Sequence, residues 1–239
     1  MKDSGYFTMT DGTDIYYRRM GAGEPVLFLH GNGGSSRFFK YQVPTFEPYF
    51  QLIFFDSRAH GRSTNGGEAL NFRLMAKDTK EALDALGIEK TSIVGFSDGA
   101  NLAMAFAALY PETVNKLVLN SGNLYFSGTK FFGRITSYLQ YGLGAALSKI
   151  SDKFEDIRLK AKLLVKDSDI PEGALRHLNC PAMVIVGARD VVETAHSKYI
   201  ASLIPHCRYV EVPNHGHRLA RTNAKAFNEI VINFLKGAS

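Results

Sequence analysis

The sequence has no tryptophan, only two cysteines, and no run approaching the roughly 18 consecutive apolar residues of a membrane span. Cys180 and Cys207 each open an apolar stretch, CPAMVIVG and CRYVEV, and read as buried free thiols, so neither a disulfide frame nor a zinc site is expected. The first residues, MKDSGYFTMTDG, lack the apolar core of a signal peptide and carry an acidic residue at position 3, so a cytoplasmic location is expected. Blocks of like charge are also missing. The net charge of +5 comes from Lys and Arg scattered along helical patterns, so no nucleic-acid partner and no membrane partner are expected. No internal repeat or low-complexity segment is present, and nothing in the chain indicates an oligomeric state.

What is present is an alternation of strand and helix patterns over 239 residues, a length that one α/β domain can fill. YFTMT and TDIYYRRM flank the turn signal Asp11-Gly12 as in a β-hairpin. PVLFLH (25–30) and FQLIFFD (50–56) are short continuous apolar runs and read as buried parallel strands. A short helix broken near Pro44 lies between them. A helix is expected over Leu70–Leu86, with Gly87 at its C-cap. TSIVGF follows as a strand, Asp98–Tyr110 as an apolar helix and VNKLVLNS as a strand. After a gap come PAMVIVG (181–187), a helix over Thr194–Leu203, CRYVEV (207–212) and a last helix over Leu219–Leu235. The pattern argues for a mostly parallel sheet covered on both faces. The gap, residues 123–178, is too long for an ordinary connection and has helical patterning of its own, in RITSYLQYGLGAALSKI and FEDIRLKAKLLV. It reads as an inserted helical cap, with residues 1–122 and 179–239 forming the core.

SIVGFSDGANLAM (92–104) runs from strand into helix through Gly95, Ser97 and Gly99. A serine that must present its oxygen outward on such a turn is forced to positive φ, which costs roughly 1–3 kcal/mol. Only small neighbours two positions away fit the turn. The helix beginning at Asp98 directs its free N–H groups at the same point, where an oxyanion would be stabilised. A serine hydroxyl needs an adjacent base, and the base needs a third group to hold its tautomer. Asp190, just past a strand end, and a histidine of the PNHGHRLA loop, His215 or His217, are the candidates.

The stretch resembles the nucleophile elbow of the α/β-hydrolase superfamily, and further motifs match that family in order along nearly the whole chain. HGNGG resembles its oxyanion loop. DSRAHGRS resembles its D-x-R-G-H-G-x-S loop, with Ala59 in place of the usual glycine. VGARD resembles the turn bearing the triad acid, and PNHGHRLA the loop bearing the triad histidine. The resemblance implies an eight-stranded, mostly parallel sheet with a helical cap inserted after strand 6. It implies Ser97 as nucleophile, Asp190 as acid and His217, which directly follows a glycine, as base. The backbone N–H groups of Asn32, or else Gly33, and of Asp98 would form the oxyanion hole.

His30 and His60 read as structural, and Asp56 and Arg58 as braces of their loop. G-x-S-D-G is also similar to the elbow of valacyclovirase-like hydrolases, which implies that Asp98 attracts a cationic substrate; alternatively its charge simply suits the first helical turn. Phe38, Phe39, Phe96 and Tyr125 are expected to line an apolar substrate pocket. The activity implied is hydrolysis of small esters or thioesters through an acyl-enzyme, without metal or organic cofactor. Lactonase, carbon–carbon bond hydrolase and perhydrolase chemistry use the same residues, and a non-catalytic binding protein on this scaffold is the alternative of another class.

Overall fold

A computed structural model describes residues 2–237. Eight strands, β1 (Lys2–Thr8), β2 (Asp14–Met20), β3 (Glu24–Leu29), β4 (Phe50–Phe55), β5 (Thr91–Phe96), β6 (Val114–Asn120), β7 (Ala182–Arg189) and β8 (Cys207–Gly216), form one sheet in the order β1-β2-β4-β3-β5-β6-β7-β8. The β1–β2 hairpin and the β2–β4 pair are antiparallel, and the remaining pairs are parallel. The continuous apolar runs divide by alternation. Leu27, Leu29, Ile53, Ile93 and Leu117 face one core, while Phe28, Leu52, Phe54, Val94 and Val118 face the other.

Helices cover both faces. α2 (Phe72–Ala85), α3 (Asp98–Leu109) and α7 (Thr194–Leu203) pack on the first core, and α1 (Val43–Phe46) and α9 (Ala224–Lys236) on the second. Sequence reading starts α2 two residues early: Asn71 caps it by accepting from Leu74 N–H at 2.8 Å, and Gly87 at φ +69° ends it. The break expected near Pro44 falls ahead of it. Pro44 lies in the first turn of α1, where its missing N–H costs nothing. The last helix is two, α8 (Leu219–Thr222) and α9, because Asn223 leaves helical geometry and caps α9 through Ala226 N–H.

Among the described residues three α-helices lie between β6 and β7: α4 (Phe131–Ser148), α5 (Glu155–Leu163) and α6 (Glu172–Arg176). α4 and α5 approach closely at Gly144, where a β-carbon would stand 3.0 Å from Arg158 Cα. Besides the apolar contacts of Leu159 and Leu163, α5 is hydrogen-bonded to the sheet-bearing part at Lys160. Lys160 Nζ donates to Ala59 O at 2.9 Å, and Asn32 Nδ2 donates to Lys160 O at 2.8 Å. Cys180 and Cys207 are free but half-buried rather than buried, since both sit at strand entrances; burial still pushes the Cys207 thiol up to about 11. Among the described residues no helix is long and apolar enough to cross a membrane.

Candidate active site

The turn between β5 and α3 holds Ser97 at φ 54°, ψ −123°, the strained geometry expected of it. Its glycines are fixed by close backbone approach. A β-carbon on Gly95 would lie 2.3 Å from Gly99 O, and one on Gly99 would lie 2.0 Å from Leu29 O. Ser97 N–H donates to Asn120 O at 2.8 Å, which pins the turn to the end of β6.

The structure brings Ser97, His217 and Asp190 together from three strand ends. His217 Nε2 lies 3.0 Å from Ser97 Oγ, and His217 Nδ1 lies 2.8 Å from Asp190 Oδ1. His215 instead bonds Asn223 at 2.9 Å. Asp190 is 3% exposed, and burial alone would raise its carboxyl pKa. The hydrogen bond and charge of His217, with donation from Ser121 Oγ and Val192 N–H, outweigh burial and hold Asp190 below the usual carboxylate range. With the carboxylate on Nδ1–H, Nε2 is left free to accept a proton from Ser97 Oγ.

Sequence reading missed Ser121. It sits at φ 61°, directly after β6, and donates to Asp190 Oδ2 at 2.5 Å. Asn120, fully buried, donates from Nδ2 both to Ser121 Oγ and to Ile185 O, each at 2.9 Å. The available signal was a polar pair, Asn-Ser, closing the apolar strand VNKLVLNS at a carboxyl end where such sites gather.

On the other side of Ser97, Asn32 Nδ2 donates to Asp98 Oδ2 at 2.8 Å, and Asn101 Nδ2 reaches Asp98 Oδ1 at 3.4 Å. Burial pushes the Asp98 carboxyl up to about 6, against the opposing effects of the Asn32 hydrogen bond and the His217 charge. Among the described residues, neither the backbone N–H of Asn32 nor that of Asp98 is bonded to another protein group. Both residues border a cavity of about 700 Å³ that Ser97 and His217 also line. Phe38 and Phe96 stack in its wall with centroids 4.2 Å apart. Tyr125 and Phe39 are not brought there: the Tyr125 hydroxyl bonds Glu172 and its ring packs edge-on against His196, while Phe39 is fully buried in the second core, so the expectation that they line the pocket is corrected.

The flanking loops are braced. His30 Nδ1–H donates to Gly31 O at 2.8 Å and its Nε2 accepts from Ser57 N–H at 3.0 Å, a pattern that requires the neutral ring; burial lowers its pKa accordingly. Burial, together with the neighbouring His30, brings His60 down to about 3. Asp56 accepts from Ser36 N–H at 2.6 Å and Arg62 N–H at 3.0 Å, while Arg58 grips Asp78 through two bonds.

Residues 24–143 match the family model described as alpha/beta hydrolase fold. The putative non-heme bromoperoxidase BpoC of Mycobacterium tuberculosis is 26% identical over 92% of this chain and 97% of its own. The serine hydrolase BPHL of Mus musculus is 28% identical over 95% of this chain and 84% of its own. An alpha/beta hydrolase enzyme from a Medee basin deep-sea metagenome library superimposes with a TM-score of 0.84, 20% identity and 97% of each chain covered, which speaks for the fold. With half of its length matched by the family model, this chain belongs to the alpha/beta hydrolase fold family.

Proposed function

We propose that the protein is a serine hydrolase of small carboxylic esters or thioesters. The observation that carries this reading is the continuous relay from Ser97 Oγ through the His217 ring to Asp190, at 3.0 and 2.8 Å, built on a serine held at positive φ. Ser97 Oγ attacks the ester carbonyl as Nε2 of His217 takes its proton. Asp190 stabilises the imidazolium and holds Nδ1 protonated. The carbonyl oxygen becomes an oxyanion between the N–H groups of Asn32 and Asp98, an arrangement in which each donor contributes about 3 kcal/mol. His217 then protonates the leaving alcohol or thiol, and water, deprotonated by the same ring, releases the acid from Ser97. The relative from Mus musculus is itself named a serine hydrolase, which supports this reading.

Asp98 is assigned a positioning role rather than recognition of a cation, because its oxygens already accept from Asn32 and Asn101. Three helices between β6 and β7, two of which line the cavity through Thr136 and Leu163, are read as its cap. The test is labelling with a fluorophosphonate probe alongside hydrolysis of p-nitrophenyl esters of increasing chain length. Modification at Ser97 is expected, with kcat falling about 10⁴-fold or more in Ser97→Ala. An unlabelled Ser97 would overturn the proposal in favour of a binding role.

A further inference from the structure

The cavity over Ser97 is polarised in a way the hydrolase reading does not explain. Arg37, Lys40, Arg218 and Arg221 all line it, whereas among the described residues Asp98 is its only lining carboxylate and is buried with its own amide donors. Among the described residues none of these four cations has a carboxylate partner. Arg221 is held in place over the rings of Phe38 and Tyr41, at 5.7 and 5.8 Å from their centroids, and Lys40 lies 4.7 Å over Tyr41. The same two cations draw the Tyr41 hydroxyl below its usual pKa.

The positive wall continues outward. A second groove, of about 370 Å³, shares Ser35 and Arg37 with the cavity and adds Arg18 and Arg62. Its one carboxylate, Asp56, is 2% exposed and committed to Ser36 and Arg62 N–H groups. The opposite side of the cavity is polar too. α4 turns Thr136, Ser137 and Gln140 toward it and leaves Phe132 and Leu139 exposed, the reverse of what a purely apolar substrate would select.

Unneutralised like charges crowded in a cleft repel one another, and low-dielectric walls focus their field on whatever enters. We propose that cavity and groove together bind an anionic substrate: an ester or thioester that carries a phosphate or carboxylate away from its scissile carbonyl. The proposal deepens the hydrolase reading and rests on it. The scissile carbonyl lies over Ser97, and the distal anion lies along the strip from Arg221 to Arg37, extending toward Arg18 and Arg62 when it is long. Guanidinium groups suit such anions because they donate two parallel hydrogen bonds.

Binding and turnover are tested separately. Calorimetry on the Ser97→Ala protein with inorganic pyrophosphate and with succinate reads the anion site without catalysis. On the active enzyme, kcat/KM is compared for acetyl-coenzyme A against S-acetyl-N-acetylcysteamine, and for monoethyl succinate against ethyl butyrate. The expected result is at least a tenfold preference for the charged member of one pair, which identifies phosphate or carboxylate as the anion. That preference should shrink with added salt and fall about tenfold in the Arg37→Gln/Arg221→Gln variant. Equal kcat/KM within both pairs, or anion binding unchanged in that variant, overturns the proposal. Pyrophosphate or succinate binding to Ser97→Ala with no ester hydrolysed by the active enzyme keeps the anion site and removes the hydrolase reading instead.

Discussion

Ser121 bonds Asp190, the partner of His217, and not Ser97 itself, so its removal tests positioning apart from chemistry. Ser121→Ala deletes a hydrogen bond to a buried carboxylate, a loss of about 1.5–3 kcal/mol. Because that bond helps hold Asp190 below its usual pKa, the carboxyl rises toward protonation. Ester hydrolysis is expected to show kcat lowered about tenfold, KM little changed, and the acidic limb of the pH–rate profile moved to higher pH; an unmoved limb would mean that Ser121 only packs. Asp98 shifts the opposite way. Its carboxyl titrates at about 6 in the folded protein, above the unfolded value of about 3.9, so the stability linked to its protonated form is complete below about pH 4 and is lost as pH rises through 6. The loss is about 3 kcal/mol at most. Since the Asn32 amide lowers this pKa, Asn32→Ala should raise the midpoint above 6, read by carboxyl carbon-13 NMR across the titration. At this scale the sequence disclosed groups whose requirement is local. Small residues two places either side of Ser97 announce a crowded turn. Ser121 escaped because its role depends on a left-handed backbone and on a partner 69 positions away. Tyr125 was misjudged for the same reason: proximity in sequence to the end of β6 says nothing of where a hydroxyl turns, and Glu172 claimed it.

The elements show which glycines are structural necessities and which are concessions. Gly99 lets α3 start against β3: its β-carbon would stand 2.0 Å from Leu29 O and 2.6 Å from His30 O. These are backbone atoms that cannot swing aside. Gly99→Ala should cost more than about 3 kcal/mol or prevent folding, by the overpacking and strain of a tight helix–strand contact. Gly142, in the interior of α4, meets nothing within 4 Å, so Gly142→Ala should stabilise by about 0.5–1 kcal/mol through helix propensity alone. Denaturant unfolding of the pair decides; equal and small effects would contradict the close approach. Strand positions and type were legible here because parallel strands buried on both faces must be continuously apolar, as LFL, LIFF and SIVGF are. The end of α2 was legible at Gly87, whereas its start at the Asn71 cap was placed two residues early and the break at Asn223, where one backbone excursion splits an unbroken apolar pattern into α8 and α9, was not legible.

At the scale of the molecule, the arrangement joins two parts of the chain that the sequence separates. The loops after β3 and β4, which carry Asn32 and Ala59, belong to the sheet-bearing part, and both are tied to α5 at Lys160. Through Asn32 the tie continues to Asp98 and the turn at Ser97, so the seating of α5 and the shape of the loop after β3 are linked mechanically. None of this was legible, since a lysine on a helical pattern reads as a solvated charge, whereas here desolvation lowers the Lys160 amine below its usual pKa while it donates to a main-chain carbonyl. Lys160→Met keeps the aliphatic stem and removes the donor. The lost charge-assisted bond, about 1.5–3 kcal/mol, corresponds to opening of α5 about 10- to 100-fold more often. Amide hydrogen exchange should therefore speed up by that factor in α5 and in the segment around Asn32, while β5 and β6 keep their protection, because the cores on either side of the sheet do not include Lys160. Exchange that accelerates uniformly over the sheet, or not at all in α5, would show that the helix is held by its apolar contacts at Leu159 and Leu163 rather than by this tie.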